Sequence, residues 1–153
     1  MREILFRGKR LDNGEWVHGF LTVDDSETPN QFVIDYLMPH KSCYGQTEVD
    51  PETVGQFTGL TDKNGKKIFE GDIFRYYHEV QKPIYDEETG VVSGYKTSRI
   101  IRYKGYVTIN ELGVEINLSN NCQWWRHKNG NQLARVKVIG NVHDNPELLE
   151  AQS

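Results

Sequence analysis

Cysteine is scarce in this chain. Only Cys43 and Cys122 occur in 153 residues, too few for a disulfide framework, so a reducing cytoplasm is the expected compartment. No apolar run comes near the roughly 20 residues a membrane helix needs, so no membrane partner is expected. The start, Met1-Arg2-Glu3-Ile4, lacks the long apolar core of a secretory signal. A glycine-rich phosphate loop leading into a helix is missing, as are internal repeats and low-complexity segments. Helical periodicity is weak beside the period of two that marks strands.

What the chain does have is bulk and charge. Eight Tyr, six Phe and three Trp supply core candidates within a 37% hydrophobic, 26% charged sequence, which argues against disorder throughout. The length fits one domain, or two small subdomains sharing a core. The net charge of −4 is unevenly spread. From Lys96 to Lys137 there are eight basic and two acidic residues, a net of +6 that leaves −10 elsewhere. Such a split suits an anionic partner, or packing of one part against the other.

Turn chemistry organises the rest. Ile4 to Arg10 and Glu15 to Val23 flank Asp12-Asn13-Gly14, which predicts a β-hairpin. Both faces of its second strand carry apolar residues, and His18 lies among them as a packed side chain rather than a catalyst. Phe32 to Met38 is a third strand, and Asp50-Pro51 caps a short helical turn. Asp62-Lys63-Asn64-Gly65 is a tight turn after Phe57 to Leu60, and Glu70-Gly71-Asp72 is a second corner before a strand at Ile73. Both corners are read as structural ahead of any ligand role. Asp86 to Gly90 is the solvated tip of a protruding hairpin arm over about 76–97. A further hairpin is expected with Lys104-Gly105 at its turn, faced by Val114 to Leu118. Ala134 to Val142 is a last strand, and Asn145-Pro146 starts a short closing helix. Short strands between Gly- and Asn-rich turns indicate a small barrel or a bent sheet.

The run Thr53-Val54-Gly55-Gln56-Phe57-Thr58-Gly59-Leu60, followed by Asp62 to Ile73, resembles the YopX family of phage and prophage proteins. The ending Val138-Ile139-Gly140-Asn141-Val142-His143-Asp144-Asn145-Pro146-Glu147-Leu148-Leu149 is similar to that family's C-terminal signature, and Ile4 to Lys9 to its opening strand. The resemblance implies a mainly β protein: an N-terminal β-hairpin subdomain over 1–56, then an SH3-like β-barrel subdomain over 57–153. It also implies a phage or prophage origin in a bacterial host cell. It brings no reaction, cofactor or catalytic residue with it.

The residues offer material for three chemistries. His40, Cys43, Cys122 and His127 are of the right types for a Cys2His2 zinc set, yet neither pair has a familiar knuckle spacing, so neither metal nor other cofactor is expected. Nothing around either cysteine suggests an activated thiolate, and no catalytic residue is assigned. For single-stranded nucleic acid the candidates are Arg99, Arg102, Lys104, Tyr106, Trp124, Arg126 and Lys128, cations interleaved with aromatics. The leading expectation is a non-catalytic protein-interaction or assembly module, a homo-oligomer that also meets host or phage proteins. Nucleic-acid binding is the alternative, and an enzyme of unspecified reaction is third.

Overall fold

The computed structural model describes residues 3–26, 31–38, 43–111, 113–118 and 136–150. They form a mainly β protein with two antiparallel sheets. The first has the order β4-β3-β2-β1-β5-β6, built from β1 (Phe6–Lys9), β2 (Trp16–Asp24), β3 (Gln31–Leu37), β4 (Tyr44–Glu48), β5 (Gly55–Thr61) and β6 (Lys67–Phe69). The second has the order β10-β7-β8-β9, from β7 (Asp72–Tyr85), β8 (Val92–Asn110), β9 (Gly113–Leu118) and β10 (Lys137–Asn141). A 3-10 turn spans Pro51–Thr53, and α1 spans Glu147–Glu150.

The local signals act as expected where the chemistry is local. Asp50 accepts a bond from the Glu52 N–H and Pro51 opens the 3-10 turn. Gly65 and Gly71 both hold φ of 80°, the conformation each corner needs.

The β1–β2 hairpin packs one face of β2. Val17 joins Ile34 and Val49 in the smaller core cluster, with Leu21 beside them. The other face is covered only at its start: Trp16 is half-buried, whereas Phe20 is 55% exposed. The larger cluster lies on the second sheet, where Phe74, Tyr76, Val107, Ile116, Val136 and Val138 surround Ile68 of β6.

Two expectations meet the structure differently. The hairpin turn at Lys104-Gly105 does not exist: β8 runs unbroken from Val92 to Asn110. Gly105 lies in mid-strand because β9 approaches so closely that a Cβ there would sit 2.1 Å from the Asn117 carbonyl oxygen. Its glycine serves interstrand contact, not a turn. No closed barrel is found among the described residues, since β5 and β6 extend the first sheet through β1. The position between residues 56 and 57 falls inside β5.

Candidate functional site

The carboxylates that cluster in the sequence around the two corners are occupied by the fold. Asp62 Oδ1 accepts from the Asn64 and Lys66 N–H groups, and its Oδ2 from the N–H of Val138 on β10. Glu70 Oε1 accepts from the Ile109 N–H. Asp72 is 1% exposed; its Oδ1 meets Arg7 Nη1 at 2.6 Å and its Oδ2 accepts from the Phe69 N–H. Arg7 also donates to the Glu70 carbonyl, with its guanidinium 4.8 Å from the Trp16 ring centroid and 5.0 Å from that of Phe69. Its Nε is buried without a hydrogen-bond partner among the described residues. Arg7 therefore ties β1, β2 and β6 to the start of β7.

Beside it, Asp144 accepts from Lys9, Trp16 Nε1 and Asn141. The Lys9 ammonium is the largest influence holding its pKa down to about 2. His18 packs on Phe69, ring centroids 5.2 Å apart.

An open, positively charged surface lies on the second sheet. Register places Lys137 of β10, Arg75 of β7 and Lys104 of β8 side by side in one row across three strands. Two residues along β7, on the same face by the strand's period of two, Tyr77 pairs with Arg102. Arg75, Tyr77, Arg102, Tyr103 and Lys104 line a shallow groove of about 430 Å³. Lys63 joins them from the β5–β6 turn, which hydrogen-bonds the Val136 carbonyl. Arg75 donates to the Tyr77 hydroxyl, and with the charges of Arg75, Arg102 and Lys63 it holds that phenol below its ordinary pKa. Among the described residues Lys63, Arg75, Arg102 and Lys137 have no carboxylate partner. Lys104 donates to the Leu148 carbonyl of α1.

Of the sequence candidates, Arg102 and Lys104 come together here. Arg99 pairs with Val80 and projects to the opposite face, three positions from Arg102. Tyr106 is half-buried opposite the buried Ile73, and is not part of the groove lining. Trp124, Arg126 and Lys128 lie outside the described residues, as do His40, Cys122 and His127 of the zinc set. Cys43 is free and exposed, and the described residues contain no group of three or more potential metal ligands. Arg75 and Tyr77, which lie outside the charged segment, are not among the sequence candidates, and Lys63 enters there only within the Asp62–Gly65 turn, where a ligand role ranks behind a structural one. Their one signal is the alternation of Arg75 and Tyr77 along a strand.

The arm is a two-stranded ribbon. Pairing of β7 with β8 runs from Ile73↔Tyr106 to Tyr85↔Val92, with register shifts between Val80 and Gln81 and between Ile84 and Tyr85. Beyond Arg75 and Gly105 no third strand pairs with it among the described residues. Asp86 organises its tip, accepting from the Glu88 and Thr89 N–H groups. Its surface is apolar for an exposed element: Tyr85 is 58%, Val91 64%, Tyr95 65% and Ile100 55% exposed. No helix of the described residues is long and apolar enough to cross a membrane.

The chain's overall shape is similar to that of protein EF1440 from Enterococcus faecalis, seen in a crystal structure. The two share 24% identity and a TM-score of 0.54, over 97% of this chain and 99% of that one. At this identity the likeness concerns the fold alone. No curated protein matches the sequence. A sequence model of the YopX protein family matches residues 5–150, nearly the whole chain, and takes in both sheets, the ribbon and α1. The chain belongs to the YopX family.

Proposed function

We propose that this protein is a non-catalytic protein-interaction or assembly module of a phage or prophage programme, working as a homo-oligomer in the bacterial cytoplasm. The observation that carries this reading is the β7–β8 ribbon with its exposed Tyr85, Val91, Tyr95 and Ile100. A lone two-stranded ribbon is marginal in water, and large apolar side chains on it gain from being covered. A second copy supplies matching apolar surface and free strand edges at once. Phe20, exposed on the first sheet, adds a further apolar contact point. The non-catalytic part rests on the carboxylates of Asp62, Glu70, Asp72 and Asp144, all of which accept bonds that hold backbone or side chains in place. An SH3-like kinship of residues 57–153 belongs to the same proposal, supported by the antiparallel run of β7, β8 and β9 with β10 alongside.

The test is light scattering on the full chain and on a variant carrying Tyr85→Ser, Val91→Ser and Tyr95→Ser. The expected result is an oligomer for the unaltered chain and a lower mass for the variant, with equal circular dichroism. Equal masses for both chains contradict the ribbon's role.

A further inference from the structure

We infer that the cationic face of β10, β7 and β8 binds single-stranded nucleic acid, with phosphates on Lys63, Arg75, Arg102 and Lys137 and a base stacked on Tyr77.

The row Lys137–Arg75–Lys104 is the first ground. Like charges directly opposite one another weaken a sheet, and here two such pairs adjoin across three strands. Carboxylates that neutralised them would remove the conflict, yet Arg75 and Lys137 have none among the described residues. An external anion resolves the same conflict. Strands about 4.8 Å apart and a two-residue step of about 6.8 Å make this a patch of roughly 10 Å by 7 Å, which suits a chain of phosphates better than one small ion.

Tyr77 is the second ground. It is 42% exposed, lies among the cations and donates no contact to the core clusters. Cations tracking a backbone beside an exposed aromatic ring are the two elements of single-strand binding, and stacking requires an unpaired base. The face stays cationic although the whole chain carries −4, so the attraction is local. An acidic protein surface would use the same cations but would draw nothing from stacking on Tyr77.

The experiment is fluorescence anisotropy with a labelled thymidine oligonucleotide of about 12 residues, long enough for one small site. Saturable binding is expected at about 50 mM salt, weakening about fifty-fold at about 200 mM if four phosphates are neutralised. Arg75→Glu with Arg102→Glu should weaken binding at least about tenfold, and so should Lys63→Glu with Lys137→Glu, which alters exposed positions on the other side of Tyr77. Tyr77→Ala should cost about fivefold or more, while Tyr77→Phe keeps the ring and binds nearly as the unaltered chain does. Thermal melts identify any variant that fails to fold; the second charge pair then decides. Absence of binding at the lower salt overturns the proposal, as does binding indifferent to both charge pairs. Competition by polyglutamate as strong as by oligonucleotide, with Tyr77→Ala neutral, also overturns it and assigns the face to an acidic protein.

Discussion

Arg7 and Asp72, 65 positions apart in sequence, meet at 2.6 Å with both side chains almost fully buried. The pair joins the first strand of one sheet to the first strand of the other, between the rings of Trp16 and Phe69. Removing one member leaves the other charge buried and alone. Arg7→Ala or Asp72→Ala should therefore cost about 3–5 kcal/mol in denaturant unfolding. Asp72→Asn should cost less than Asp72→Ala, because its amide oxygen still accepts from the Phe69 N–H. Losses below about 1 kcal/mol for both alanine variants, the range of a surface pair, would contradict this account.

Two glycines of β8 should respond in opposite ways. A Cβ at Gly105 meets the Asn117 carbonyl oxygen at 2.1 Å, whereas nothing lies within 4 Å of one at Gly94. Gly105→Ala should destabilise by about 1–3 kcal/mol as β9 is pushed away. Gly94→Ala should be neutral or stabilise by up to about 1 kcal/mol, since it restricts the unfolded chain at no steric cost. Thermal denaturation of the two variants checks the pair directly, and equal effects would count against the unbroken β8.

Acid should weaken the protein in two windows. Burial, then the positive charge of Arg7, lowers the His18 pKa below 6.5; burial, Arg7 and Lys9 do the same for His143. The unfolded chain then binds more protons than the folded one as pH falls from about 6.5, so stability declines through that window. Asp144, held at about 2 chiefly by Lys9, contributes stability that is complete above its ordinary 3.8 and lost as pH falls toward 2. Asp144 is partly exposed, so its share is about 1 kcal/mol or less. His18→Gln should flatten the upper window and Asp144→Asn the lower one in unfolding curves taken across pH.

Sequence made local chemistry legible and left cross-strand register hidden. The Asp62–Gly65 turn, the Asp50-Pro51 cap and the Asp86–Gly90 tip are each set by residues within a few positions, and each forms. Lys104-Gly105 misleads because a glycine in a strand looks the same whether it bends its own chain or admits a neighbour's backbone. The cationic face escapes for a related reason. Arg75, Lys104 and Lys137 are scattered over more than sixty positions and become neighbours only through the pairing of β10 with β7 and β7 with β8. Arg99 looks equivalent to Arg102 in sequence, but the two lie three positions apart, an odd step that sends their side chains to opposite faces.

The most direct measurement is sedimentation equilibrium of the unaltered full chain over about a hundredfold range of concentration, since self-association follows mass action. Covering of the exposed ribbon by a second copy predicts a mass that rises with concentration to a whole multiple of the single chain. A single-chain mass at every concentration would contradict it.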